Sequence, residues 1–359
     1  MINLKDRYEK RIPLTLEVIS KIALLEELKG VWKGGITINH KILGRLKKSV
    51  IITSTGASTR IEGSQMSDAQ IEKFLNALKS NPPENRDEEE VAGYADLLSR
   101  VFDNWQKLHL SEALILQFHE ILLHYSEKDI LHKGKYKTKE NLVVAKNTHG
   151  EQIIIFEPTP AWLTKKEMDD VLFWTEQAYL EKHFPSVLII ANFIFEFLAI
   201  HPFTDGNGRL SRALTNVLLL QSGYEYVPYV SLEEIIEEKK DEYYASLRQT
   251  QKYHKTDREN INDWLNFFLD VLIIQAQKAR ELMENDDPTK LLSGRQIEVY
   301  ALFDKVNSWA VKDIKEQLPD IPEVTIKQVL SRLVSLKLVE RMGLGRSTRY
   351  FISHRLAKI

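Results

Sequence analysis

Between His201 and Arg212 the chain reads His-Pro-Phe-Thr-Asp-Gly-Asn-Gly-Arg-Leu-Ser-Arg, which sets a base, a hard-metal ligand, two glycines and two arginines close together. An unperturbed histidine titrates near pH ~6.5, so His201 can be neutral in a cell and take a proton from an attacking hydroxyl. Asp205 offers a hard carboxylate oxygen, the donor type that holds Mg2+ with few protein contacts and several phosphate oxygens. Gly206 and Gly208 allow backbone angles closed to other residues and let a ligand approach the main chain. The helix start that follows offers unpaired N–H groups and a positive dipole end, which makes an anion hole. Arg209 and Arg212 lie three apart on that helix, hence on one face, and their guanidinium forks suit phosphate oxygens.

The elements that must position these groups are legible on either side. Val187 to Ile200 is apolar on nearly every face, which predicts a buried helix. Pro202 disfavours helical backbone at His201, so that helix ends there. Arg209 to Gln221 has good helix formers and apolar periodicity, with Gly223 beyond it as a stop signal. The segment is therefore predicted as helix, glycine loop, helix.

At each defining position this stretch resembles the His-Pro-Phe-x-Asp/Glu-Gly-Asn-Gly-Arg-x-x-Arg motif of the Fic family of AMP-transferring enzymes. The resemblance implies an adenylyltransferase in which a Ser, Thr or Tyr hydroxyl of a target protein attacks the α-phosphate of ATP and pyrophosphate leaves. It implies His201 as the base, Phe203 as a core anchor and Asp205 as the Mg2+ ligand. Gly206, Asn207 and Gly208 would form the anion hole, and Arg209 and Arg212 would hold the β- and γ-phosphates. Phosphate-transferring toxins of the Doc type carry a lysine where this chain has Gly208, so the AMP-donating orientation of ATP is expected. A phosphocholine-transferring branch shares the motif and stays open.

Ser58 to Gly63 resembles the Ser/Thr-x-x-x-Glu-Gly/Asn inhibitory motif of many Fic proteins. In that family the glutamate pairs with the second arginine of the active motif, so the resemblance implies a Glu62–Arg212 pair and an autoinhibited enzyme. A carboxylate in a guanidinium fork competes with phosphate for the same donors, and its charge repels ATP. In some relatives the same glutamate aligns a water that removes AMP, which leaves the reverse reaction open.

Asn141 to Phe156 has two β-branched runs around Asn-Thr-His-Gly, which predicts a hairpin with a four-residue loop. It resembles the Fic flap, whose edge takes a target segment as an added strand. Tyr243 and Tyr244 fall where the family places an aromatic over the adenine. His119 and Glu120 followed by His124 miss the zinc-protease spacing by one residue, and zinc is set aside. The chain has no Walker-type phosphate loop.

After Glu284-Asn285-Asp286-Asp287-Pro288 the chain changes character. Helices are predicted over Gly294 to Val306, Ala310 to Leu318 and Val324 to Leu336, then a hairpin over Leu338 to Ile352. The pattern resembles a winged helix-turn-helix. From Leu291 onward there are 12 Lys and Arg against 7 Asp and Glu, while the remainder carries 37 against 44. This modest basic bias allows DNA contact through Lys327, Arg332 and Arg346 but falls short of a strongly basic footprint, and such modules also dock proteins.

The 359 residues, 43% of them apolar, are enough for two or three domains with real cores. A formal net charge of -2 implies no global attraction to nucleic acid or membrane. The absence of cysteine excludes disulfides and thiol chemistry and fits a reducing cytoplasm. The first residues lack the apolar core of a signal peptide, and no apolar run is long enough to span a bilayer, so a soluble cytoplasmic protein is expected. The fold class expected is mainly α: an N-terminal Fic extension over 1–90, with an amphipathic helix at Pro13 to Lys29 and a polar connector at Lys79 to Glu90, a Fic-fold helical core with a hairpin flap over 91–285, and an α/β winged helix over 291–359. The function expected is Mg-ATP-dependent adenylylation of a protein, with a homodimer admitted by the resemblance. The alternatives are a nucleotide-sensing DNA-binding regulator and an enzyme that removes AMP.

Overall fold

The structure is a computed structural model that describes residues 4–35, 40–141, 143–146, 152–284, 294–304, 308–335, 338–343, 345 and 348–352. Two compact units divide it at Glu284 and Asn285. In the first, α1 (Leu4–Lys10), α2 (Leu16–Gly35), α3 (His40–Ile61), α4 (Asp68–Ala77), α5 (Arg86–Asn104) and α6 (Glu112–Leu122) precede a hairpin of β1 (Val143–Lys146) and β2 (Gln152–Phe156). Then come α7 (Ala161–Glu181), α8 (Ser186–Ile200), α9 (Asn207–Gln221), α10 (Leu232–Glu238), α11 (Lys240–Gln251) and α12 (Asn262–Glu284).

The centre of this unit is α8. Every residue from Val187 to Ile200 is buried, as an all-round apolar helix requires. Phe193, Phe195 and Phe197 have no exposed surface, and each large apolar side chain so buried contributes roughly 1.5–3 kcal/mol. The polar exceptions on α8 are satisfied from the first turns of the chain. Arg11 donates to Asn192 Oδ1 at 2.7 Å and bonds Glu196, which Arg7 also reaches at 3.2 Å. Burial opposes charge on Glu196, but Arg11, His254 and Arg7 hold its carboxyl well below the usual range.

Residues before position 90 share one continuous apolar core with those after it, since Tyr8, Val18, Leu25 and Trp32 pack in the same cluster as Phe193 and Leu214. The helix predicted at Pro13 to Lys29 runs instead from Leu16 to Gly35. Ser67 caps α4 with a capping box, its hydroxyl accepting from Gln70 N–H while the Gln70 side chain accepts from Ser67 N–H. The stretch at Lys79 to Glu90 is only partly a connector. Asn85 caps α5, whose first turn carries Asp87, Glu88 and Glu89 against the positive helix end.

The hairpin pairs β1 and β2 antiparallel, Val144 opposite Ile154 and Lys146 opposite Gln152, with an irregularity after Val143. The predicted Asn-Thr-His-Gly loop lies outside the described residues.

The second unit contains α13 (Gly294–Ala301), β3 (Ser308–Trp309), α14 (Val311–Gln317), α15 (Glu323–Ser335), β4 (Val339–Met342) and β5 (Arg349–Ile352). Its sheet has the order β3-β5-β4, antiparallel throughout. Ile314, Ile326, Leu330, Leu333 and Leu338 fill a core of its own. Lys327 is paired with Glu323 at 2.7 Å, and Arg346 lies outside the described residues. Among the described residues no helix is long and apolar enough to cross a membrane.

Candidate active site

His201 ends α8 in the left-handed region, φ 52° and ψ 60°, with its N–H donating to Phe197 O at 2.9 Å. Pro202 disfavours helix at this position, and the left-handed residue turns the chain out of the helix axis. Burial is the first cause of a depressed imidazole, and nearby Lys137 adds to it, so His201 is held down to about 4 against a weaker pull upward from Leu198 carbonyl, Glu62 and Asp205. The ring is neutral across the physiological range.

The loop between α8 and α9 is braced from three sides. Asn207 Oδ1 accepts from Phe203 N–H at 2.9 Å and its Nδ2 donates to Phe203 O at 2.7 Å. The Asn207 amide is therefore spent on the loop, and only its backbone N–H remains for an anion. Phe203 is fully buried and stacks on His119, ring centroids 3.8 Å apart. Gly134 N–H donates to His119 Nδ1 at 3.0 Å, which leaves Nε2 to donate to Asp205 O at 3.1 Å. His119, set aside as a zinc ligand, is thus a neutral strut under the loop, pushed down to about 4 by burial.

Gly206 takes φ 80° as the residue before α9, and a Cβ there would meet Leu122 at 2.9 Å. The first N–H groups of α9 have no carbonyl to bond within the helix and point toward the space before it. Gly208 keeps that approach open on one side only, since a Cβ on it would meet Glu62 Oε1 at 2.2 Å.

Four charged groups close a ring at the mouth. Asp205 Oδ2 is 3.3 Å from Arg86 and 3.2 Å from Arg209, while Glu90 is 2.8 Å from Arg86 and 3.2 Å from Arg209. Burial would raise the Asp205 carboxyl, but Arg209, the Gly206 N–H and Arg86 hold it below its ordinary value. Arg209 is only 1% exposed; its Nη1 is the atom that lies against Glu90, at ion-pair distance but not aligned for a hydrogen bond, and its Nε has no hydrogen-bond partner.

Arg212 is 2% exposed and is gripped by α3: its Nε donates to Ser58 Oγ at 2.8 Å and its Nη2 to Ser58 O at 2.9 Å and Glu62 Oε1 at 2.8 Å. Burial works against this cation, but Glu62 and its neighbours keep its pKa above the ordinary value. Its Nη1 has no partner. Arg209 Nε and Arg212 Nη1 are thus buried donors without a hydrogen-bond partner beside a glycine-lined helix start, and such donors are costly to leave unbonded.

Residues 109–219 match the family described as Fic/DOC. This segment carries a Fic domain. Protein adenylyltransferase Fic of Drosophila mojavensis is 26% identical over 189 residues, 52% of this chain and 35% of that protein. The chain spans about a third of the length of that curated relative. A Fic family protein from Desulfovibrio desulfuricans G20 superposes with a TM-score of 0.64 at 19% identity, covering 95% of this chain and 97% of its own. Fic-1 from C. elegans superposes with a TM-score of 0.58 at 20% identity, covering 75% of this chain and 74% of the other. The fold of the chain is that of these Fic proteins.

Within the Fic domain, the motif residues from His201 to Arg212 gather around one helix start, and α3 brings Ser58 and Glu62 against Arg212. The two tyrosines separate. Tyr243 is 3% exposed, its ring packed near Trp264 and Phe267, and burial pushes its hydroxyl up to about 12 against the opposing pull of Arg212. As placed it has no free face for a base, a correction that follows from its position on the core side of α11. Tyr244 is 36% exposed and donates to Ile61 O at 3.3 Å, which puts it at the end of α3. Arg86, Glu90 and His119 belong to the site and carry no motif signal.

Proposed function

We propose that the chain is a protein adenylyltransferase that uses Mg-ATP and is restrained by Glu62. The observation that carries this reading is the pair of buried arginines, Arg209 and Arg212, on the first turns of the helix that follows Gly206, each keeping an N–H group without a hydrogen-bond partner, with the neutral His201 at the end of the preceding helix. A triphosphate supplies the missing acceptors.

In the proposed reaction the hydroxyl oxygen of a target Ser, Thr or Tyr bonds to the α-phosphorus, the bond from that phosphorus to the pyrophosphate oxygen breaks, and His201 takes the hydroxyl proton. The N–H groups of Asn207 and Gly208 steady charge on the phosphates, and Arg209 and Arg212 hold the outer ones. Asp205 fits Mg2+, since it is one ionised hard donor beside a phosphate cradle, and the metal when bound would neutralise phosphate charge. Tyr244 is the aromatic available to an adenine ring. The flap made by β1 and β2 presents a strand edge to which a target segment can add.

Glu62 competes for the donor on Arg212 that the γ-phosphate needs. Its side chain is 34% exposed next to the cradle, and this position also favours a second reading, in which the carboxylate orients a water that removes AMP from a modified protein. The C-terminal unit reads as a winged helix from its helix order and three-stranded sheet, and DNA or a protein is its proposed ligand. Cytoplasmic placement and a homodimer are also proposed.

The test is incubation with ATP labelled at the α-phosphate and, separately, at the γ-phosphate. Label from the α-position should enter protein, at least tenfold more with Glu62→Gly and not at all with His201→Ala. Transfer from the γ-position, or equal α-labelling in all three chains, would overturn the reading.

A further inference from the structure

We infer that Lys137 and Asn141, on the segment that runs from Gly134 into the flap, are positioning residues for His201. The inference rests on the reading of His201 as the base. Left-handed backbone at His201, with φ 52°, is a conformation that residues with a side chain rarely hold, so something must hold it.

The carbonyls of residues 200 to 203 are all caught, and largely from this one segment. Lys137 Nζ donates to Ile200 O at 3.1 Å, and Lys137 N–H donates to Pro202 O at 2.8 Å. Asn141 Nδ2 donates to His201 O at 3.4 Å and to Phe203 O at 3.0 Å, where Asn207 also donates. The two side chains are tied together, Lys137 Nζ to Asn141 Oδ1 at 2.7 Å. Any tilt of His201 must break several of these bonds at once.

A neutral donor would suffice to cap a helix, yet a lysine does it here while only 4% exposed. It forms no ion pair among the described residues, and burial, ahead of Lys255, brings it down to about 8 against the pull of Glu140 and Glu167. A buried cation without a bonded counter-ion is costly, so its charge has a use. It lies at the negative end of α8 and beside the imidazole, where it disfavours a proton on His201. Glu62 and Asp205 face the same ring and act the other way. Because β1 begins two residues after Asn141, the strap also joins the target-docking strand to the base.

The test uses the full chain carrying Glu62→Gly and compares Lys137→Met, Lys137→Arg and Asn141→Ala. It measures the rate of protein-bound label from α-labelled ATP at saturation, the Kd for ATP by calorimetry, and the NMR titration of the His201 imidazole, assigned by its loss in His201→Ala. Lys137→Met and Asn141→Ala should each slow transfer about tenfold or more and leave the Kd within about threefold. Lys137→Met should also raise the His201 titration and shift the acid limb of the rate to higher pH, while Asn141→Ala leaves the titration in place and Lys137→Arg recovers most of the rate. Parental rate and titration in Lys137→Met would overturn the inference. If that variant does not fold by circular dichroism, an unchanged rate in Asn141→Ala overturns it instead. If no label enters even the parent, the base reading has failed on its own, and an unmoved His201 titration in Lys137→Met then overturns the positioning role.

Discussion

Glu62 Oε1 stands 2.8 Å from Arg212 Nη2 and occupies the space beside Gly208 that any side chain there would need. The contact is a structural ion pair and, in the proposed function, an obstacle to an anion. Removing the carboxylate should therefore move stability and binding in opposite directions. In Glu62→Gly, Arg212 keeps Ser58 but loses its charged partner, and the apo chain should lose about 1–2 kcal/mol, discounted for the partial exposure of Glu62. ATP with Mg2+ should then raise the melting temperature of the variant more than that of the parent, because ligand binding stabilises only what it can enter. Equal thermal shifts in both chains would dismiss the obstacle.

The end of α3 is held by a clamp that does not touch the cradle. Arg60 makes a bidentate pair with Glu237 of α10 at 2.6 and 2.9 Å and bonds Asp68 at 2.8 Å, while Lys240 donates to Arg60 O at 3.2 Å. If this clamp sets the reach of Glu62, Arg60→Ala should raise α-phosphate labelling above the parent, by less than Glu62→Gly. The double variant should label no more than Glu62→Gly alone. An additive gain in the double variant would show that Arg60 acts by another route.

In the proposed function Arg86 and a divalent cation would compete for Asp205. The Arg86 side chain is 62% exposed, so its bond to Asp205 is weak in water and salt-sensitive. Arg86→Ala should lower the Mg2+ concentration for half-maximal labelling by a few fold and barely change stability. A higher Mg2+ requirement would instead make Arg86 part of the metal or phosphate site.

How much of this was legible follows the range of the interactions. The two helices around His201 and the glycine turn were visible because apolar runs, Pro202 and Gly206 act locally. The Glu62–Arg212 pair was reachable only because each residue sits in a recognisable motif, 150 positions apart. Glu90 had no such marker and read as part of a charged connector, though it forms an ion pair with Arg209 at 3.2 Å. His119 offered a faint signal, since it falls on the buried face of α6 with Ile115 and Leu122, but the stacking on Phe203 and the bond to Asp205 O arise only in three dimensions. Tyr243 and Tyr244, adjacent in sequence, lie about 100° apart around α11 with ring centroids 5.1 Å from each other, one ring buried and the other exposed, so neighbouring aromatics alone could not say which one meets a base.

Acid should find the two site histidines before it finds the carboxylates. His119 and His201 are both held at about 4, chiefly by burial, against about 6.5 for an unfolded histidine. Between those values the unfolded chain binds more protons than the folded one, so stability rises with pH across the window and is fully present above about 6.5. It should fall as pH drops from 6.5 and level off near 4, by up to about 3 kcal/mol for each ring. Asp205, Glu196 and Glu259 have carboxyls held below their ordinary values, so their contribution is lost only at lower pH. Urea unfolding at steps between pH 7.5 and 4.5 should give a slope that becomes shallower in His201→Ala and again in His119→Gln. A slope that neither substitution alters would mean that these rings are not held neutral by the fold.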